Sequence, residues 1–150
     1  MSRAETAKKY FEQGYACSQA VALAFADVTG MDEETVAKIM LPFGGGFGRL
    51  RLTCGAVSGM VATLGVTCAG AENTPENKMG TYAITQELCN QFQAENGSLI
   101  CAELLDGVNV TVGGAPDART KEYYKKRPCA EIVYSAADIL EKYLQEKGVL

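Results

Sequence analysis

Histidine and tryptophan are both absent from the 150 residues of this chain. Without histidine, the chain alone cannot form a Cys-His or Ser-His catalytic pair, a histidine zinc site or a histidine-ligated haem. Any general base must be Asp, Glu, Lys, Tyr or a thiolate. The absence directs attention to the six cysteines, whose thiolates are both nucleophiles and metal ligands.

A second absence concerns the spacing of those cysteines, because no Cys-x-x-Cys pair occurs anywhere in the chain. This excludes a thioredoxin motif and the usual zinc-finger pattern. It does not exclude a site assembled from distant helices, as metal sites in helix bundles are.

The chain also shows no sign of a secretion signal or a membrane span. Residues 1–9 are polar and no apolar segment follows them. The uncharged run over residues 52–71 is diluted by glycine and threonine, which predicts a buried helix of a soluble protein. We therefore expect a cytoplasmic protein, in which redox or metal chemistry is a better explanation of six cysteines than a disulfide framework. The net charge of −4 argues against a nucleic-acid partner.

The composition is that of one globular domain over residues 1–150, with 47% hydrophobic and 21% charged residues. Helical periodicity and capping signals recur, while the alternating segment 108–112 has no partner strand and is expected to be a loop. The sequence predicts an all-α fold, a compact bundle of five or more helices. The predicted helices cover residues 3–13, 16–28, 32–41, 54–66, 75–95, 99–105, 117–126 and 128–147.

The helix over about residues 54–66 is expected to be the buried centre of the bundle. It carries no charge, and Gly55, Gly59 and Thr63 recur every four residues on one face. Small residues at that spacing let neighbouring backbones approach closely. The preceding glycine-rich turn, residues 43–49, follows a helix and lacks a Gly-Lys-Ser/Thr ending, so a tight crossing is favoured over a phosphate site.

Four cysteines fall in the first turn of predicted helices: Cys17, Cys54, Cys101 and Cys129. Free amides and the helix dipole at such positions lower a thiol pKa and favour the thiolate. The basic run 125–127 adds positive charge just before the last of them. Cys68 and Cys89 lie at a helix end and in mid-helix, where an inert buried thiol is the better interpretation.

These residues resemble a known family of redox-active proteins with four motif cysteines, named after the pattern cysteine … GCAxxG … cysteine … cysteine. The label has glycine before cysteine, whereas this chain has the order Cys54-Gly55. The resemblance runs over about residues 10–145 and implies that the same four cysteines are the active or ligand residues. The matching pieces are Gly14-Tyr15-Ala16-Cys17-Ser18-Gln19-Ala20, Phe43-Gly44-Gly45-Gly46-Phe47-Gly48-Arg49, Cys54-Gly55-Ala56-Val57-Ser58-Gly59, Cys101-Ala102-Glu103-Leu104-Leu105-Asp106-Gly107 and Cys129.

Three functions fit this pattern. The first is reversible disulfide or thiol exchange or electron transfer at helix N-termini, the chemistry of an oxidoreductase with a redox partner still to be identified. The second is a four-thiolate site for zinc or an iron–sulfur cluster, held by Cys17, Cys54, Cys101 and Cys129. The third is a structural helical module with inert cysteines. The sequence leaves a monomer and an oligomer both open. It also predicts that Cys54 lies at a convergence point with Cys17, Cys101 and Cys129.

Overall fold

The structure is a computed structural model that describes residues 1–150. It is all-α, as predicted, and its only strand-like pairing is an isolated antiparallel bridge between Thr53 and Ile100. A 3-10 turn, Leu41–Phe43, joins α4 to α5. The helices are α1 Arg3–Glu12, α2 Cys17–Leu23, α3 Ala26–Thr29, α4 Glu33–Met40, α5 Gly44–Phe47, α6 Gly55–Cys68, α7 Pro75–Asn96, α8 Cys101–Leu104, α9 Lys121–Lys126 and α10 Cys129–Glu146. Of these, α5 is a single turn of the glycine-rich segment in which Gly45, Gly46 and Phe47 have positive φ.

Capping side chains set several helix ends where the sequence predicts them. Asp32 accepts a hydrogen bond from the Thr35 amide at 2.8 Å and starts α4. Thr74 accepts from the Asn77 amide at 3.1 Å and starts α7, with proline in the first turn. Gly97 ends α7 in the left-handed conformation, which glycine adopts without steric cost.

The prediction of one continuous helix over residues 16–28 is wrong. The chain turns at Ala24-Phe25, and the Phe25 amide bonds to Ala22 in a tighter turn. This turn places the Phe25 ring, which is fully buried, in the core. The Ala24 carbonyl oxygen accepts a hydrogen bond from Arg3 at 2.9 Å. Burial of an aromatic ring outweighs the helical periodicity of the segment.

Two other helices, α9 and α10, start later than the sequence predicts. The helix before the last one starts at Lys121 because Thr120 caps it, and Pro128 precedes α10 instead of opening it. Helical spacing places Tyr82, Cys89 and Phe92 on one face of α7, near Met79 and Leu88, and predicts that this face is buried. Leu88 and Phe92 are buried and Cys89 is half-buried, whereas Met79 and Tyr82 in the first half of the helix are exposed.

The central helix α6 is buried over its first half and along its small face, but one side of its second half is exposed, with Val66 at 51%, so the expectation of burial on all sides is wrong there. Its small face packs against α2, and an added Cβ at Gly59 would lie 2.6 Å from the Ser18 carbonyl oxygen. Helices α2, α7 and α10 pack on α6, α1 packs on α2 and α10, and these helices share a core of 22 buried residues.

No helix in the structure combines the length and the apolar character that crossing a membrane requires.

Candidate functional site

The four cysteines at helix starts line one cavity of about 300 Å³. Cys17 is the first residue of α2, Cys101 of α8 and Cys129 of α10, while Cys54 immediately precedes α6. The structure therefore brings together the four residues that the helix-start argument selects. Their part in chemistry stays a prediction at this point. All six thiols are free, and Cys68 and Cys89 lie outside this cavity.

Cys17 is positioned by the two polar residues that follow it. The Ser18 hydroxyl is fully buried and donates to the Met40 carbonyl oxygen at 2.6 Å. The Gln19 amide nitrogen donates to the Ala37 carbonyl oxygen at 2.9 Å, and its oxygen accepts from the Ala16 amide at 2.9 Å. These bonds fix the start of α2 against α4 and so fix the Cys17 backbone.

Cys54 meets Cys17 because a glycine follows it. An added Cβ at Gly55 would lie 2.5 Å from the Cys17 Sγ and 2.9 Å from the Phe43 carbonyl oxygen. The start of α6 therefore approaches α2 as closely as a bare backbone allows. This approach places Cys54 where its thiol lowers the pKa of Cys17 through hydrogen bonding. The order Cys54-Gly55 in this chain thus has a direct steric reason.

Cys101 is held beside Cys54 by a short backbone ladder. The Cys54 amide donates to the Leu99 carbonyl oxygen at 2.8 Å, and the Cys101 amide donates to the Leu52 carbonyl oxygen at 2.6 Å. The Thr53–Ile100 bridge lies between these two bonds. The extended residues after the glycine-rich turn therefore carry Cys54 and Cys101 into the same wall.

The glycine-rich turn closes this wall. An added Cβ at Gly46 would lie 2.6 Å from the Leu52 amide nitrogen and 2.8 Å from the Cys101 Cβ, so the tight crossing is present as predicted. The sequence reasoning missed a second role, because hydrogen bonding from the Gly45 backbone lowers the pKa of Cys17. The turn thus stabilises an anion, and that anion is a thiolate of the same chain.

The pKa of Cys17 is lowered to about 6. The largest cause is the hydrogen bond from Cys54, which outweighs the opposing cost of burial. Backbone hydrogen bonds from Gly45 and Ser18 and the charge of Arg119 lower it further. At neutral pH Cys17 is therefore mainly a thiolate, the reactive form.

The other three cysteines contradict the prediction that each helix start lowers a thiol pKa. The pKa of Cys54 is raised, first by its hydrogen bond to Cys17 and then by burial. Burial raises the pKa of Cys101, and it raises that of Cys129 to about 12. The charge of Arg127 opposes that shift at Cys129 without cancelling it, while Lys125 and Lys126 are exposed and outside the cavity. Desolvation exceeds the dipole effect, which is worth about 1 kcal/mol or less at such ends.

Arg119 is a site residue that the sequence reasoning missed. Its guanidinium donates to the carbonyl oxygens of Phe11 and Tyr15 at 3.0 Å each. It also lies 4.5 Å from the Phe11 ring centroid and 4.8 Å from that of Tyr123. The neighbouring aromatic pair, Tyr123-Tyr124, is the signal in the sequence, since arginine stacks well on such rings.

The metal alternative finds no geometric support in the arrangement of these thiols. No three or more histidine, cysteine, aspartate or glutamate side chains form a group that could hold a metal ion. A tetrahedral site needs four ligands around one point. The zinc or iron–sulfur site at Cys17, Cys54, Cys101 and Cys129 stays an untested prediction.

The opposing pKa shifts predict a stability maximum at mildly alkaline pH for the reduced protein. Between pH 6 and about 8.5 the unfolded chain keeps the Cys17 proton and the folded one does not, so stability rises, by about 1–3 kcal/mol. Above that range unfolded thiols ionise while Cys54, Cys101 and Cys129 stay protonated in the fold, so stability falls. Urea unfolding across this range measures the effect. The absence of histidine keeps the lower window clear of other side chains.

The matched control for this experiment is Cys17→Ser. It should remove the rise below about pH 8.5 and keep the part of the fall above it that comes from the buried thiols Cys101 and Cys129. A rise of equal size in the variant would show that another group is responsible.

A comparison with family models matches residues 15–143 to the family described as "Putative redox-active protein (C_GCAxxG_C_C)". No curated protein and no solved structure matches the chain. The matched span includes all four cavity cysteines and the glycine-rich turn. The chain therefore belongs to the C_GCAxxG_C_C family, a family described as redox-active.

Proposed function

We propose that this protein carries out thiol–disulfide exchange, with Cys17 as the attacking thiolate and Cys54 as the cysteine that completes the disulfide. The observation that carries the proposal is the close approach of α6 to Cys17, since an added Cβ at Gly55, next to Cys54, would lie 2.5 Å from the Cys17 Sγ. Hydrogen bonding between the two thiols lowers the pKa of Cys17 to about 6 and raises that of Cys54. A pair of this kind separates the roles of nucleophile and proton donor.

The position of the two cysteines supports the same assignment. Both line the cavity, where the Cys17 residue is half-buried and Cys54 is 6% exposed. An external disulfide that enters the cavity therefore reaches the Cys17 thiolate beside Cys54. Cys54 is placed to react with the sulfur of Cys17 once a mixed disulfide has formed there.

The exchange balances in two steps. The Cys17 thiolate attacks one sulfur of a substrate disulfide, forms a mixed disulfide and releases the other sulfur as a thiolate. Cys54 then gives its proton to a leaving thiolate and attacks Cys17, forming the Cys17–Cys54 disulfide and releasing the second sulfur. The protein loses two electrons and the substrate becomes two thiol groups, so the protein acts as an oxidoreductase.

Cys101 and Cys129 are not assigned to this first exchange. Burial raises the pKa of both thiols, as it does at Cys54, but among the cysteines Cys54 alone lowers the pKa of Cys17 through a hydrogen bond, which places it next to the attacking sulfur. The same argument applies to Cys89, whose pKa burial raises in α7.

A redox titration with peptide mass spectrometry tests the proposal. Between −300 and −150 mV, roughly the range of biological thiol couples, two free thiols should disappear and one Cys17–Cys54 cross-link should appear. Cys89→Ser should behave like the unmodified protein, and Cys17→Ser should keep all its remaining thiols. Six free thiols throughout the range, or a disulfide between other cysteines only, would refute the proposal.

A further inference from the structure

The cavity that holds the thiols is strongly positive. Four arginines line it, and Asp117 is its only acidic residue. The protein as a whole has a net charge of −4, so this concentration of positive charge is local. The arginines of the wall are Arg49, Arg51, Arg119 and Arg127.

Three of these arginines make hydrogen bonds or ion pairs within the cavity wall. Arg49 donates to Gly113, Thr111 and Asp117 at 2.6–3.0 Å. Arg127 pairs with the same aspartate at 2.6 Å and lies over the Tyr123 ring. Arg119 is bonded to two backbone carbonyl oxygens and stacked on aromatic rings. These contacts hold the wall in shape.

Arg51 is different because one of its donors has no acceptor. Its side chain is buried, with 4% exposure, and its Nε donates to the Thr111 carbonyl oxygen at 3.0 Å. Nη1 lies 3.7 Å from the Cys101 Sγ, while the buried Nη2 has no hydrogen-bond partner. The Arg51 backbone is also in the left-handed region, with φ of +61°, which side chains other than glycine rarely adopt. A buried guanidinium nitrogen without a partner is costly unless a ligand supplies the acceptor.

We propose that the cavity binds a small organic oxyanion that carries a disulfide or thiol, with its anionic group on Arg51 and its sulfur at Cys17. This inference rests on the proposed exchange function and names its substrate class. The anionic group accepts the hydrogen bond that Nη2 lacks, and a planar carboxylate matches the guanidinium best. The cavity volume of about 300 Å³ suits a molecule of low molecular weight.

The exchange with such a substrate uses the same two steps. The Cys17 thiolate attacks one sulfur of the bound disulfide and displaces the other half as an anionic thiolate. The retained half keeps its oxyanion on Arg51 until Cys54 displaces it. The substrate's charge thus directs its sulfur without taking part in the electron transfer.

Three small disulfides of similar size test the inference: anionic 3,3′-dithiodipropionate, neutral 2-hydroxyethyl disulfide and cationic cystamine. The measurement is the rate of mixed-disulfide formation at Cys17 in the Cys54→Ser protein, divided by the rate with free 2-mercaptoethanol. We expect the anionic probe to be favoured over the neutral one by about tenfold after this correction, and the cationic probe to be disfavoured. Added sulfate should reduce the anionic preference. Because each result is a ratio of probes, a change in thiolate fraction cancels.

Arg51→Gln should lower the ratio of the anionic-probe rate to the neutral-probe rate to the value that free 2-mercaptoethanol gives. Arg3→Gln is the matched control, since it removes one positive charge outside the cavity and should leave the ratio unchanged. If Arg51→Gln does not fold, sulfate competition in the parent protein decides. A ratio within about twofold of the free thiol and insensitive to sulfate would overturn the inference.

Equilibrium binding separates this inference from the exchange function. Calorimetric titration of Cys17→Ser with 3,3′-dithiodipropionate involves no exchange at Cys17, and we expect saturable binding at one site that sulfate displaces. Such binding combined with no reaction of Cys17 with any disulfide would uphold the anion site and refute the exchange function. Exchange at Cys17 with no saturable binding would refute the anion site and leave the exchange function intact.

Discussion

Cys54→Ala is expected to raise the pKa of the Cys17 thiol from about 6 toward the ordinary value of about 8.5. The hydrogen bond from Cys54 is the largest cause of the lowered value, and alanine offers no donor in its place. The pH dependence of Cys17 alkylation by iodoacetamide, followed on the Cys17 peptide by mass spectrometry, measures the shift.

Cys54→Ser is the matched control. A serine hydroxyl can still donate to the Cys17 sulfur, so the pKa of Cys17 should stay closer to about 6 than in the alanine variant. Neither variant can form the Cys17–Cys54 disulfide, so a difference between them reports the hydrogen bond alone. Equal midpoints in both variants and the parent protein would show that Cys54 does not tune Cys17.

Gly59→Ala is expected to lower the free energy of unfolding by about 2 kcal/mol. The added Cβ would lie 2.6 Å from the Ser18 carbonyl oxygen and 3.1 Å from the Val21 Cβ, so α2 must shift away from α6. Backbone cannot rotate out of the way as a flexible side chain can. The shift also moves the start of α2, where Cys17 lies. Urea unfolding in reducing buffer measures the loss.

Gly65→Ala, in the same helix, is a control that we expect to change the free energy of unfolding in the opposite direction. Nothing lies within 4 Å of an added Cβ there, so the substitution brings only the better helix propensity of alanine. We expect a gain of about 0.5–1 kcal/mol, which raises Tm by about 2–4 °C per kcal/mol in a protein of this size. Destabilisation by both substitutions, or by neither, would contradict the close packing of α6 on α2.

Local chemistry at helix ends made much of the fold predictable. Caps such as Asp32 and Thr74 act within one turn of the chain, so a sequence shows them directly. The Gly55 and Gly59 face of α6 was predictable for the same reason, since its spacing alone places it on one side of a helix. The positions of the four cysteines in the first turns of helices were predictable in the same way, because each depends only on the neighbouring residues.

The electrostatics of the site depend on contacts that local patterns do not show. A helix start lowers a thiol pKa only when the dipole and the hydrogen bonds stabilise the thiolate by more than burial destabilises it. Burial is a property of the whole fold. This is why Cys17 and Cys129, both first residues of helices, have pKa values shifted in opposite directions. Arg119 reaches Cys17 from a segment about a hundred residues away, and no spacing rule connects the two.

The turn at Ala24-Phe25 is a similar case. Helical spacing continues through it, and only the position of the core decides that the Phe25 ring must point inward. In the first half of α7, Met79 and Tyr82 are exposed although Tyr82 shares a helix face with the buried Phe92. Both depend on which helices become neighbours.

The pH dependence of Cys17 alkylation in the unmodified, reduced protein tests most directly whether Cys17 is the attacking thiolate. Cys89 in the same sample serves as an internal reference, because burial raises its pKa above the ordinary thiol value. We expect alkylation of Cys17 to have its midpoint near pH 6, well below the alkylation midpoint of Cys89. A Cys17 midpoint at or above about 8.5 would contradict the assignment of Cys17 as the attacking thiolate.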